Sequence, residues 1–265
     1  MIWENDRYKA PFDYIINQEL IEYDLEKANI NILRWKNVLD DKQYEYYKNL
    51  DRQRREISIG YLLKDSNLSK ILQNGFKEAR QLFFDMNKIE DIEVMYIDKD
   101  SITTINKPCY INKLNQYLNF REKKRYTSYY SLDIIDFLYY NDNMNEYYRL
   151  KNSNDIYMNK YHKDYMIDFL LSLFYTAQQQ DFMSCIYMIK GFYRDYINHK
   201  LPIQFYREFN PRNKYAIKSD EYHNYYSEWL NYGTDISSID IMYNINNIIR
   251  RLYRIYTKIY FSTKK

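Results

Sequence analysis

Glycine and proline are scarce in this chain, with 4 of each in 265 residues. So few chain breakers argue against a disordered chain and for helices in a compact fold. Cysteine is nearly absent. Cys109 and Cys185 stand alone, which excludes a disulfide framework or a cysteine-spaced metal site and fits a reducing cytosol. His162, His199 and His223 are scattered, and neither an HExxH run nor a Cys/His cluster occurs. The missing G-x-S-x-G, P-loop and G-x-G-x-x-G patterns remove hydrolase-elbow, P-loop NTPase and Rossmann readings. Long apolar runs are lacking too. The stretch from Met166 to Thr176 contains Asp168 and is too short for a bilayer. The first residues, MIWENDRYKAPFDY, have no apolar signal core. The expectation is a soluble, cytoplasmic protein with no membrane partner. Charge imbalance is small: 39 basic against 36 acidic residues, a net +3. Bulk charge therefore does not make this a polyanion binder, although a local basic face can do the same work.

What is abundant is tyrosine, 34 residues within an aromatic share of 19%. Together with many Ile, Asn and Lys it resembles translation of an AT-rich genome, so tyrosine number alone supports no function. The length allows a substantial core in one large or two small domains. LIEYDL (Leu20–Leu25) alternates apolar and acidic residues, as a half-buried strand does. EKANINILRW (Glu26–Trp35) follows at helical spacing. Asp40–Lys48 reads as a short helix, and Asp51 as the N-cap of DRQRREISIGYLLK. Asp65 or Ser66 starts a longer helix. Its stripe of Leu68, Ile71, Leu72, Gly75, Phe76, Ala79, Leu82 and Phe83 is sustained at a 3.6-residue period.

Further strands are expected at Tyr117–Phe120 and Tyr126–Tyr140, around the basic run Arg121–Arg125. Asn141–Asn154 reads as a polar boundary loop. Helices follow at Tyr161–Ala177, Asp181–His199 and Ser237–Tyr260, with breaks at Pro202 and Pro211. The fold class expected is α+β: a small antiparallel sheet with packed helices over 1–150, then a mainly helical region over 151–265.

The chemistry concentrates in EVMYIDKDSITTIN, Glu93–Asn106. Asp98 and Asp100 sit between two runs of strand formers, which predicts a hairpin carrying acids at its turn. An Asx turn is one reading. A divalent metal is the other, since hard cations take carboxylate oxygens. Asp24, at the end of the earlier strand, and Glu22, on the same face, add acids to the constellation. Lys70 and Asn74 lie one helical turn apart on the helix between. Arg52, Arg54 and Arg55 crowd the start of another helix, where cations are electrostatically disfavoured, and this favours an anion-binding role. Arg121, Lys123, Lys124 and Arg125 form a basic patch. Arg250, Arg251, Arg254 and Lys258 interleave with Tyr253 and Tyr256, a pattern that suits either backbone tracking or an amphipathic packed helix.

These segments resemble, in order, the palm-domain motifs of family B DNA polymerases. Asp24-Leu25-Glu26-Lys27-Ala28-Asn29-Ile30-Asn31-Ile32 is similar to the first motif. Lys70-Ile71-Leu72-Gln73-Asn74-Gly75-Phe76 is similar to the first half of the second. Tyr96, Asp98, Asp100 and Ser101 match the third, Tyr-Gly-Asp-Thr-Asp-Ser, with Ile97 and Lys99 as departures. The resemblance covers residues 20–106 and implies a phage or mobile-element protein. Asp24 and Asp100 would hold two Mg²⁺ (or Mn²⁺) ions roughly 3.5–4 Å apart, with Asp98 as a supporting acid. Lys70, with the Arg52, Arg54 and Arg55 cluster, would contact a nucleoside triphosphate. Asn29 would stand where the family places the tyrosine that excludes a ribose 2′-hydroxyl. Because the motifs are closely spaced, a protein partner would supply missing polymerase subdomains.

The expected function is therefore nucleotidyl transfer to a 3′-hydroxyl of DNA or RNA. The alternatives are a catalytically inert nucleic-acid-binding or replication-accessory protein, and a protein-interaction factor using its tyrosine-rich faces.

Overall fold

The computed structural model describes residues 1–132, 135–142, 144–151, 160–198, 200–201 and 236–263. The protein is α+β: an antiparallel sheet of seven strands with helices, followed by a helical C-terminal region. The strands are β1 (Arg7–Lys9), β2 (Tyr14–Leu25), β3 (Val94–Asp98), β4 (Ser101–Ile105), β5 (Phe120–Leu132), β6 (Ile135–Asn141) and β7 (Glu146–Lys151). The helices are α1 (Ala28–Trp35), α2 (Asp41–Asn49), α3 (Arg52–Leu62), α4 (Ser66–Asn87), α5 (Lys160–Gln178), α6 (Phe182–Ile197) and α7 (Ile236–Thr263). The sheet order is β1-β3-β4-β2-β5-β6-β7. Two compact units are present. One comprises Met1–Pro11 and Gln18–Tyr126, the other Phe12–Asn17 and Thr127–Lys265.

In the first unit β4 pairs antiparallel with both β2 and β3. Strands β2 and β3 therefore run parallel with β4 between them, and α1 to α4 form the crossover, a split β-α-β arrangement. Strand alternation decides what faces the helices. Ile21, Tyr23 and Leu25 of β2 enter the core with Ile32, Leu72, Phe83, Ile97, Ile102 and Phe120. Phe83 of α4 stacks on Phe120 at 4.3 Å and tilts against Tyr23 at 5.4 Å. Glu22 and Asp24, one residue out of phase, belong to the opposite face. Helix starts follow the expected chemistry: Asp40 and Gln43 form a capping box on α2, while Asp51 and Asp65 cap α3 and α4.

Two sequence expectations are corrected. The basic run Arg121–Arg125 lies inside the continuous strand β5, not between two strands. Arg121 to Lys124 stay exposed and Arg125 half-buried while Phe120 and Tyr126 anchor the ends in the core, so charge alone did not interrupt the ladder. Within the predicted boundary loop Asn141–Asn154, Glu146–Lys151 forms β7, paired with β6 through Tyr140↔Tyr147 and Phe137↔Leu150. A polar strand is what a sheet edge tolerates. The remainder of that stretch from 152 onward, and the breaks at Pro202 and Pro211, lie outside the described residues.

The second unit has its own core. Tyr130 stacks on Phe174 at 3.8 Å, and Tyr256, Leu252, Ile189 and Cys185 pack around them. No helix among the described residues is long and apolar enough to cross a membrane.

Candidate functional site

Pairing in the first unit aligns one row of side chains across four strands. Arg7 of β1 is opposite Asp98 of β3, Asp98 is opposite Ser101 of β4, and Ser101 is opposite Asp24 of β2. Lys123 of β5 closes the row, its Nζ 3.3 Å from Asp24 Oδ2. The two acids therefore stand on either side of a neutral serine, with a base flanking them at each end. Arg7 lies 3.7 Å from Asp98 in a well-exposed pair, so that contact adds little. The Lys123 contact is more sheltered, because Asp24 is only 21% exposed.

Glu22, one pleat further along the same face, is the most buried acid of the group at 1% exposure. Ser101 Oγ donates to its Oε1 at 3.2 Å, and Tyr126 Oη donates to its Oε2 at 3.3 Å. Lys123 Nζ also approaches its Oε1 at 3.8 Å.

Asp98 and Ser101 pair directly, which leaves Lys99 and Asp100 as a two-residue turn. Lys99 takes a left-handed φ of 53°. The turn is tied at three points. The Lys99 amide donates to Asp6 O at 2.8 Å, the Leu25 amide donates to Asp100 O at 2.9 Å, and Arg80 Nη1 donates to Lys99 O at 2.6 Å. Sequence reasoning missed Arg80. It is 1% exposed, and it also donates to Trp3 O at 2.8 Å and to Asp6 Oδ1 at 3.2 Å. The available signal was a charged residue inside the apolar stripe of α4, between Phe76 and Phe83.

Burial, then the neighbouring Asp24 carboxylate, pushes the Asp100 carboxyl above the ordinary carboxylate range, while Lys123 opposes the shift. The folded chain therefore holds a proton that the unfolded chain has already released. Stability falls as pH rises through that window, and ionised Asp100 opposes folding at neutral pH. Asp100→Asn is expected to unfold at a higher urea concentration than wild type at pH 7, with the gain vanishing in acid. A variant less stable than wild type at pH 7 would show that the carboxylate is favourably bound.

Asp24, Asp98 and Asp100 thus lie near one another. The other predicted site residues lie elsewhere. Lys70 and Asn74 are exposed on α4, a helix that packs on the Tyr23 face of the sheet and not on the Asp24 face. Asn29 donates to Glu56 Oε2 at 2.9 Å. Arg52 is exposed on α3, Arg54 pairs with its capping residue Asp51 at 3.3 Å, and Arg55 donates to Leu50 O at 3.2 Å. In the β5 patch Arg121 lies 3.9 Å from Glu26, and Arg125 bonds both Glu122 and Glu19. Lys124 is exposed. Much of that patch is neutralised by the chain's own acids.

Among the described residues, no group of three or more His, Cys, Asp or Glu side chains is arranged to hold a metal ion. With the Lys123 ammonium seated on Asp24, the carboxylates as placed do not fit a pair of divalent cations. Neither thiol offers an alternative nucleophile. Burial pushes Cys109 up to about 11 and Cys185 up to about 12, so both are protonated at neutral pH.

The second unit carries a different feature. From Ile248 to Thr263, α7 has no acidic residue. Arg251 turns inward to Asp13 and to Ser131 O at 3.4 Å, and Tyr256 is fully buried. Arg250, Tyr253, Arg254 and Lys258 point outward at helical spacing. On the adjacent α6, Lys190 places its ammonium 5.7 Å from the Tyr253 ring centre, within cation–π range. Tyr187, 64% exposed, lies one turn before Lys190.

Residues 2–258 match the model of one protein family, described as Bacteriophage PBS1 gene 130 protein. No curated protein matches the sequence.

Proposed function

This chain belongs to the bacteriophage PBS1 gene 130 protein family, and from that premise we propose that it is a nucleic-acid-binding protein of the phage. The observation that carries the reading is the acid-free outer face of α7 over Ile248–Thr263. Arg250, Arg254 and Lys258 stand exposed beside Tyr253, with Lys190 of α6 alongside. Cations at this spacing suit successive phosphates, and exposed tyrosine rings suit base stacking. A chain of net charge +3 can bind a polyanion this way because the charge is local.

Fluorescence anisotropy with a labelled single-stranded oligonucleotide tests this. Each phosphate neutralised on a single strand contributes about −0.7 to the slope of log K against log salt, so these four cations set a slope near about −3. Arg250→Ala/Arg254→Ala is expected to weaken binding and to make the slope shallower by about 1.4. Salt-independent binding, or a double variant that binds like wild type, would sink the reading.

A second reading is nucleotidyl transfer with Mg²⁺ or Mn²⁺, nucleoside triphosphates and a partner for the missing subdomains. One observation favours it: Asp24 and Asp100 meet at neighbouring strand ends of a split β-α-β unit. It requires Lys123 to leave Asp24. Adding nucleotides and either metal to the same oligonucleotide as a primer separates the two readings. Extension that is lost in Asp100→Ala belongs to the second, and an unchanged primer belongs to the first.

A further inference from the structure

A row of cations suits any polyanion, but aromatic rings can tell one nucleic acid from another. Among the described residues, no carboxylate pairs with Arg250, Arg254, Lys258 or Lys190. Arg54, Arg121 and Arg125 of the first unit, in contrast, each meet an acid of the chain. Three rings stand among the unpaired cations. Tyr253 is 38% exposed, with the Lys190 ammonium 5.7 Å from its ring centre. Phe261 follows Arg254 by seven residues, hence on the same helix face, and is 61% exposed. Tyr187 of α6 is 64% exposed. Helix packing does not call for these rings. α7 fills the core of its unit with Leu252, Ile255, Tyr256 and Ile259, and α6 does so with Cys185, Ile186 and Ile189.

Building on the nucleic-acid reading, on which this step rests, we infer that the face takes single strands in preference to duplex, with Tyr253, Tyr187 and Phe261 as platforms on which unpaired bases stack. Charge alone gives the opposite order. Duplex DNA carries one negative charge per about 1.7 Å of axis, twice the density of either strand within it, so a row of cations favours the duplex. Stacking reverses that order. Paired bases are covered by their neighbours and offer only their edges in the grooves, whereas the face of an unpaired base lies open to a ring. One stacked base is worth about tenfold in affinity, so two or three rings outweigh the charge difference. A membrane surface fits the same groups poorly. A helix lying in that interface turns its apolar face to the lipid, and the apolar face of α7 is in the core.

Fluorescence anisotropy with one labelled oligonucleotide of mixed sequence, free and annealed to its complement at the same salt, tests this. Wild type is expected to bind the single strand at least about tenfold more tightly than the duplex. Tyr187→Leu/Tyr253→Leu should weaken single-strand binding by about tenfold per ring and move duplex binding much less, with the salt slope kept because no charge is lost. Leucine is a good helix former at these exposed positions, so α6 and α7 should persist. Tyr253→Trp keeps a ring and should retain the single-strand preference.

Duplex bound as tightly as the single strand by wild type overturns the inference. The nucleic-acid reading then still stands if Arg250→Ala/Arg254→Ala weakens both complexes. Leucine variants that bind the single strand like wild type overturn the inference equally. Binding to neither form removes the reading itself and the inference with it, as does binding to phosphatidylglycerol vesicles in place of the oligonucleotide.

Discussion

In urea, Arg80→Met is expected to lose about 3–5 kcal/mol of stability, a large share of what a domain usually has. The guanidinium is 1% exposed and ties two separate pieces of chain at three points: the carbonyl of Trp3 and the carboxylate of Asp6 in one, the carbonyl of Lys99 in the other. Asp6 is itself half-exposed, so the ion pair contributes little of the loss. The two carbonyls matter more. Leaving a part-buried acceptor unpaired costs up to roughly 1–3 kcal/mol each, and substitution cannot remove a backbone carbonyl.

Burial lowers the Arg80 pKa, and Asp6 partly restores it, so the charge is held at a cost that its hydrogen bonds offset. Arg80→Lys keeps the charge but not the planar fork, and should recover only part of the loss. Trp3 and Trp35 both lie in this unit, so tryptophan fluorescence can follow the transition. A midpoint for Arg80→Met within about 0.5 kcal/mol of wild type would show that Arg80 does not clamp the turn.

Gly75→Ala is expected to destabilise the protein by about 1–3 kcal/mol, the usual range for overpacking a core. On helix propensity alone the same change should stabilise by about 1 kcal/mol. The sign is decided by space. A Cβ on Gly75 would stand 2.2 Å from Ile32 Cγ2 and 3.6 Å from Ile32 Cβ. Ile32 is fully buried in α1, and a β-branched side chain in a helix has one strongly preferred χ1. It cannot turn away, so α1 and α4 must move apart. Removing the obstructing methyl should rescue the substitution. In a double-mutant cycle with Ile32→Ala, the combined loss is expected to fall short of the sum by about 1 kcal/mol or more. Strict additivity would show that the clash is relieved elsewhere. Gly75, a departure from the polymerase motif that its stretch resembles, is thereby accounted for by helix packing.

Much of the first unit was legible in the residues. The α4 stripe, the aspartate caps and the hairpin at Asp98–Ser101 follow from local rules: a 3.6-residue period, a carboxylate accepting from the first helical turn, strand formers flanking a turn. The carboxylates Asp24, Asp98 and Asp100 were legible for the same reason, since acids are poor strand residues and stand out in apolar runs. The continuous β5 was hidden because charged residues at Arg121–Arg125 mask a period of 2. β7 was hidden because an edge strand needs little apolar content.

By itself the sequence determined most element types outside β5 and β7, the α+β class and the candidate acids, all properties of near neighbours along the chain. Only the tertiary structure decided which charges meet. That Lys123 answers Asp24 and Glu22 across a strand pair, that Arg80 reaches the Lys99 turn, and that Arg251 turns inward while Arg250 and Arg254 face out depend on register and helix phase. Register and phase are set by long-range packing. A salt bridge carries no local signature, because either partner alone looks like any solvated charge.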